Sequence, residues 1–122
     1  PRPLLTMTII LYGIPNCDTV KKARVWLQAQ GFEFNFHDFK KQGVPLPRLD
    51  AWLESVGWES LLNRKGSTWR KLDPAQQDAV RDTASARALM VAQASIIKRP
   101  VVEYPGGLLL GFDPQEWGRA LA

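Results

Sequence analysis

The stretch TIILYGIPNCDTVKKARVWLQAQGFEFNFHDF, residues 8–39, decides the fold. Its opening, TIILYGI (8–14), is a short Ile-rich apolar run closed by Gly13 and Pro15, which predicts a buried strand. From Asp18 to Gln30 the apolar period becomes helical: Val20, Ala23 and Leu27 share one face, and Gly31 supplies a C-terminal stop. FEFNFHDF (32–39) then alternates Phe32, Phe34 and Phe36 with polar residues, the period-2 pattern of a strand. Strand, helix and strand over about thirty residues form a βαβ unit, so the first two strands are expected to run parallel.

Beyond this unit QGVPLP (42–47) breaks the chain, and Leu46, Leu49, Trp52, Leu53 and Val56 then recur at helical spacing up to Gly57. GWESLLNRKGSTWRKL (57–72) reads as loops and short turns. Asp73 and Pro74 form an N-cap and first-turn pair for a helix to about Asp82, and a further helix is expected over Ser85–Gln93. PVVEY (100–104) and LLLGF (108–112) flank Pro105, Gly106 and Gly107, which predicts a β-hairpin. DPQEWGRALA closes the sequence as a helix, again opened by Asp-Pro. The order β-α-β, helices, β-β-α predicts an α/β protein of thioredoxin-like layout, with a mixed four-stranded sheet and a helical insertion over about residues 43–95. Residues 8–122 are read as one domain. Residues 1–7 are read as an N-terminal extension that frays, with Met7 a natural start. There is no internal repeat and no low-complexity tract.

A chain of 122 residues with 45% hydrophobic and 23% charged residues has the composition of an ordinary globular protein with a real core. The net charge is +4, but the Lys and Arg residues are scattered in small groups, without the long run of a nucleic-acid-binding tail. No helix-turn-helix, zinc-finger or RNA-binding pattern is present, so no nucleic-acid partner is expected. Most of these cations read as solvated faces; the remainder suit an anionic small molecule. No apolar run approaches the length of about 18 that a membrane span requires, and PRPLLTM lacks a signal peptide's apolar core, so no membrane association is expected. One cysteine allows no internal disulfide, which fits a cytoplasmic location.

That cysteine, Cys17, falls between the end of the first strand and the start of the first helix. Open sheets with parallel strands place ligands there, and a helix N-terminus favours a thiolate. Lys21, one turn on, adds to that field, whereas Asp18 opposes it. A free cysteine is commonly a small core residue. Pro15, Asn16 and Asp18 are not core-lining neighbours, however, and Cys17 is read as a reagent. His37 is the single histidine and reads as a partly exposed structural residue. No metal site is expected, because the chain lacks a set of ligands with suitable spacing.

Three stretches carry a resemblance: LYGIPNCDTVKKARVWL (11–27), LLNRKGSTWRKL (61–72) and IIKRPVVEYPGGLLLGF (96–112). Together they resemble the arsenate reductase-like (ArsC/Spx) family, and closely its YffB-type branch, over Thr8 to Leu121. The resemblance implies a thioredoxin-like fold with a helical insertion and Cys17 as the redox cysteine. It also implies an oxyanion site of three arginines around the cysteine. Arg64 matches the first and Arg99 the second; the third position falls in the expected last strand, where Gly111 and Phe112 stand. Asn63, Thr68 and Lys98 lie beside the matched arginines as further candidates, and Trp69 reads as a cap on the core. The layout also leads us to expect a cis bond before Pro100.

Spx-type regulators carry a C-x-x-C switch, whereas this chain reads CDTV, with Val20 at the second position. The second thiol of any cycle must then come from outside, and glutathione is the expected co-substrate. The resemblance therefore implies a glutathione-dependent thiol oxidoreductase with no bound cofactor, acting on a small anionic or disulfide substrate. Two alternatives stand beside it: an arsenate reductase, and a non-enzymatic Spx-like regulator that contacts RNA polymerase.

Overall fold

The structure, a computed structural model, describes residues 8–121. The extension expected over residues 1–7 lies outside them. In chain order the elements are β1 (Ile10–Gly13), α1 (Asp18–Ala29), β2 (Asn35–Asp38), α2 (Phe39–Gln42), α3 (Leu46–Val56), α4 (Trp58–Leu61), α5 (Ser67–Lys71), α6 (Pro74–Asp78), α7 (Thr83–Ala92), β3 (Val101–Tyr104), β4 (Gly107–Leu110) and α8 (Pro114–Leu121). They form two compact units. One combines residues up to Asp38 with those from Arg99 onward; the other is Phe39–Lys98.

The first unit holds the four-stranded sheet, in the order β2-β1-β3-β4. β1 pairs parallel with β2 and antiparallel with β3, and β3 pairs antiparallel with β4, so the sheet is mixed as expected. Leu11, Val102 and Leu109 come from three strands onto one face. There they meet Val20 and Leu27 of α1 and Trp117 of α8 in one buried cluster. Burial of this apolar surface, at about 25 cal/mol per Å² removed from water, is the main force holding the two helices on the sheet.

The helix α1 ends as its glycine predicts. Gly31 takes φ 83°, and its N–H reaches the Gln28 carbonyl at 3.1 Å while that of Phe32 reaches Leu27 at 2.9 Å. This is the paired closure of a Schellman motif. It also corrects the expected strand over 32–39, which is shorter in the structure. The Phe32 N–H is committed to the helix end, and the β1 ladder meets this segment only from Asn35. Phe32, Phe34 and Phe36 do alternate half-buried with exposed Glu33 and Asn35.

The second unit is helical and begins at Phe39, earlier than the expected position near 43. The Phe39 ring is buried and lies 6.3 Å from that of Trp52. Helix α3 packs on α4 and α7, with Leu49, Trp52, Leu61 and Met90 fully or almost fully buried. Where loops were expected over 57–72, α4 and α5 are single helical turns. Leu62 makes an isolated antiparallel bridge with Ile97.

Asp73 caps α6 in a reciprocal box with Gln76, but this helix stops at Asp78 rather than near Asp82. Asp82 is instead the N-cap of α7, with its own box to Ser85, so that helix starts at Thr83. The carboxylate accepts the Ser85 N–H at 2.9 Å, which satisfies one of the orphan donors of the first turn. Among the described residues no helix is long and apolar enough to cross a membrane.

Candidate functional site

Cys17 is the N-cap of α1, on extended backbone with φ −107° and ψ 123°. The chain reaches it from the C-terminal end of β1 through an exposed Pro15–Asn16 turn. Its carbonyl accepts the Lys21 N–H at 2.9 Å, starting the helix, and its half-buried side chain packs against the core of the first unit.

Burial alone raises the thiol's pKa, because it disfavours the charged form. Against it act the Val20 N–H, the Arg99 guanidinium through both a hydrogen bond and its charge, and the Thr19 N–H. Their sum outweighs burial, and the pKa lies below the ordinary thiol value. Neither N–H makes a regular capping hydrogen bond to the side chain; they act on the sulfur as dipoles at the helix start. The cation at the sulfur is that of Arg99; Lys21, expected to add to the field, lies exposed one turn along the helix.

Arg99 stands at the mouth of β3. The Arg99–Pro100 bond is cis, Pro100 is buried, and its carbonyl accepts the Gly111 N–H at 2.9 Å. The hairpin thus brings Arg99 to a thiol far away in sequence. An Arg99→Ala variant is expected to raise the Cys17 pKa and so to slow iodoacetamide labelling near neutral pH several-fold. Labelling rates measured across pH check this; an unchanged profile would remove Arg99 from the sulfur's electrostatics.

Gly111 and Phe112 lie just beyond β4 rather than within the last strand. Gly111, at φ 69°, ends the strand in a conformation that favours glycine. Phe112 then turns into an aromatic cluster, edge-on to Trp117 at 4.8 Å and to Trp26 at 6.1 Å. The position matched to a third arginine is therefore filled by a half-buried ring packed against the core.

The remaining candidates belong to the second unit. Asn63 binds the Ile96 carbonyl through its N–H at 2.8 Å and accepts the Lys65 N–H on Oδ1 at 3.2 Å. The exposed Arg64 guanidinium lies 5.7 Å from the Trp58 ring and 5.9 Å from that of half-buried Trp69. Thr68 Oγ1 is 2.8 Å from Ser95 Oγ, and the Lys98 N–H donates to the Leu61 carbonyl at 2.8 Å while its side chain is exposed. The structure brings Arg99 to Cys17 in the first unit, which also holds Pro100. Asn63, Arg64, Thr68 and Lys98 lie in the second.

His37 sits on β2 with its ring 5.0 Å from that of Tyr12. Among the described residues no group of His, Cys, Asp and Glu gathers in a number that could hold a metal ion. An open groove of about 670 Å³ runs beside α1 and β2, lined by Arg24, Gln28, Phe32 and Phe34 among others. It contains none of the candidate site residues.

The contributions of the Val20 and Thr19 N–H groups were not named from the sequence. They were nonetheless implicit in it, because any residue at an N-cap faces the free N–H groups of the first turn.

A model of the ArsC family matches residues 12–120. Among solved structures, a YffB protein is 49% identical, with a TM-score of 0.87 over 93% of this chain and 99% of that one. An arsenate reductase (ArsC) related protein from Brucella melitensis is also 49% identical, with a TM-score of 0.75 over 93% and 94% of the two chains. An uncharacterised protein of Haemophilus influenzae shares 37% identity over 93% of this chain and 99% of its own length. At lower identity, 22%, the global transcriptional regulator Spx of Lactiplantibacillus plantarum aligns over 93% of this chain and 86% of its own. A match that runs from the first strand into the last helix leads to one conclusion: this chain belongs to the ArsC family.

Proposed function

We propose that the protein is a glutathione-dependent thiol oxidoreductase of a reducing compartment such as the cytoplasm. The observation that carries this reading is the Cys17 thiol at the head of α1, with its pKa lowered beside Arg99. The Cys17 thiolate attacks a disulfide sulfur of the substrate; a Cys17–substrate disulfide forms and the other substrate sulfur leaves as thiolate. A glutathione thiolate then attacks the substrate sulfur of that bond, giving a glutathione–substrate disulfide and returning Cys17 as thiolate. Arg99 stabilises the sulfur anion in both steps. No bound cofactor or metal enters the cycle.

Incubation with oxidised glutathione followed by intact-mass analysis tests the reading. One glutathione adduct on Cys17, removed by reduced glutathione, is expected; an unmodified chain would sink it.

Arsenate is expected to be a poor substrate. Phe112 stands where the family pattern has a third arginine, and losing a charged partner of that kind costs on the order of a hundredfold in rate. Phe112→Arg does not simply restore it. The ring packs edge-on to Trp117, and removing it is expected to cost about 2 kcal/mol of stability in a thermal melt. Robust arsenate turnover by the unaltered chain with glutathione would overturn the preference for disulfide substrates.

The alignment with an Spx regulator supports a second reading, binding to RNA polymerase without catalysis. Retention of RNA polymerase by the immobilised protein, with no glutathione adduct on Cys17, would favour it.

A further inference from the structure

Gly13 ends β1, directly before the turn that leads to Cys17, and is buried. A glycine within a strand commonly marks a close approach of another element. Here that element is the first turn of α1. A Cβ built on Gly13 would lie 2.8 Å from Val20 Cγ2 and 3.5 Å from Cγ1. Gly13 is not among the glycines with positive φ, so alanine is allowed there by the backbone and excluded only by Val20. The neighbours of the other crowded glycines, Gly66 and Gly106, are the amide end of Asn63 and the ring of Tyr104. Val20 has no such freedom. It is 0% exposed and β-branched, and on a helix its side chain keeps essentially one rotamer.

We propose that Gly13 is a positioning residue for the Cys17 sulfur: by lacking a side chain it lets Val20 seat against β1, which holds the first-turn N–H groups at the thiol. The Val20 side chain anchors the helix start to the sheet, and the Val20 N–H acts on the Cys17 sulfur. One residue thus links the strand to the thiol. A methyl group on Gly13 can be relieved only by lifting the first turn of α1 away, which moves the Val20 and Thr19 dipoles off the sulfur. The inference rests on reading Cys17 as the reagent.

The test is the rate of iodoacetamide alkylation against pH for the wild type, Gly13→Ala and the double variant Gly13→Ala/Val20→Ala, each checked for folding by circular dichroism. Gly13→Ala is expected to move the thiol's apparent pKa up, with several-fold slower labelling near neutral pH. The double variant, in which the colliding methyl groups are gone, is expected to label faster than Gly13→Ala, with its profile moved back toward that of the wild type. If Gly13→Ala does not fold, Val20→Ile crowds the same wall from the helix side and is expected to shift the profile the same way. A folded Gly13→Ala or Val20→Ile with the wild-type profile would overturn the proposal, as would a double variant that stays displaced. A wild type that labels like a free thiol would instead refute the reading of Cys17, and the readout requires no knowledge of the physiological substrate.

Discussion

Cys17→Ser is expected to abolish glutathione adduct formation and disulfide exchange completely while making the protein slightly more stable. The loss is chemical: a serine hydroxyl ionises far above neutral pH and cannot form the mixed disulfide. The gain is structural. Position 17 has the extended backbone of an N-cap, yet its thiol makes no regular capping bond. Serine is among the preferred N-caps, and its oxygen can accept a first-turn N–H, a contribution of about 0.5–1 kcal/mol. The melting temperature should therefore rise by a few degrees, on the order of 2–5 °C. Opposite signs for activity and stability mark a residue kept for chemistry rather than for folding. A variant that loses both, in activity assays and thermal melts, would return Cys17 to the core.

The largest loss of stability is expected from Trp117→Ala. Trp117 is 0% exposed and lies edge-on to both Phe112, at 4.8 Å, and Trp26, at 5.9 Å, while its indole N–H donates to the Gly111 carbonyl at 3.1 Å. Truncation leaves a cavity, two aromatic partners with an empty flank and a carbonyl without its donor. Changes of this kind cost about 3–5 kcal/mol, or roughly 10 °C or more in melting temperature for a chain of this size. Trp117→Phe keeps most of the apolar contact and loses the hydrogen bond, so it should cost about 1–2 kcal/mol. If the two variants melt together, the hydrogen bond rather than the aromatic cluster would be the important part.

The fold was legible where the sequence states a face and a stop together. Val20, Ala23 and Leu27 with Gly31 defined α1, and the Pro-Gly-Gly turn defined the hairpin. It was less legible where one signal allows two structures. The alternating phenylalanines report which side of the chain is buried, but the Phe32 N–H had already been taken by the helix end. Asp82 reads equally as the end of one helix and the start of the next, and only its reciprocal box with Ser85, three residues on, decides for the start.

The thiol of the site was legible in the residues around it, and family likeness pointed to Arg99 beside it. Spacing alone offered only Lys21, one turn away, because it does not reveal a residue delivered by a strand distant in sequence. The close approach of Val20 to Gly13 was equally hidden, because only the backbone path shows where a missing Cβ is needed.

The sheet that presents Cys17 is assembled from both ends of the chain. β1 pairs with β3, and Tyr12 on β1 donates to Glu103 on β3 at 2.7 Å, across a separation of 91 residues. The helical unit, by contrast, is one continuous segment. On a ribosome, where the N-terminus emerges first, the cysteine is exposed to its surroundings long before Arg99 and the β3–β4 hairpin exist. During synthesis the sulfur lacks its cation, and its full reactivity waits until the last fifth of the sequence, from Arg99 onward, has been threaded into place. A fragment ending at Lys98 is expected to alkylate with the pH dependence of a free cysteine, so the nascent chain is spared premature oxidation by the same topology that later arms it.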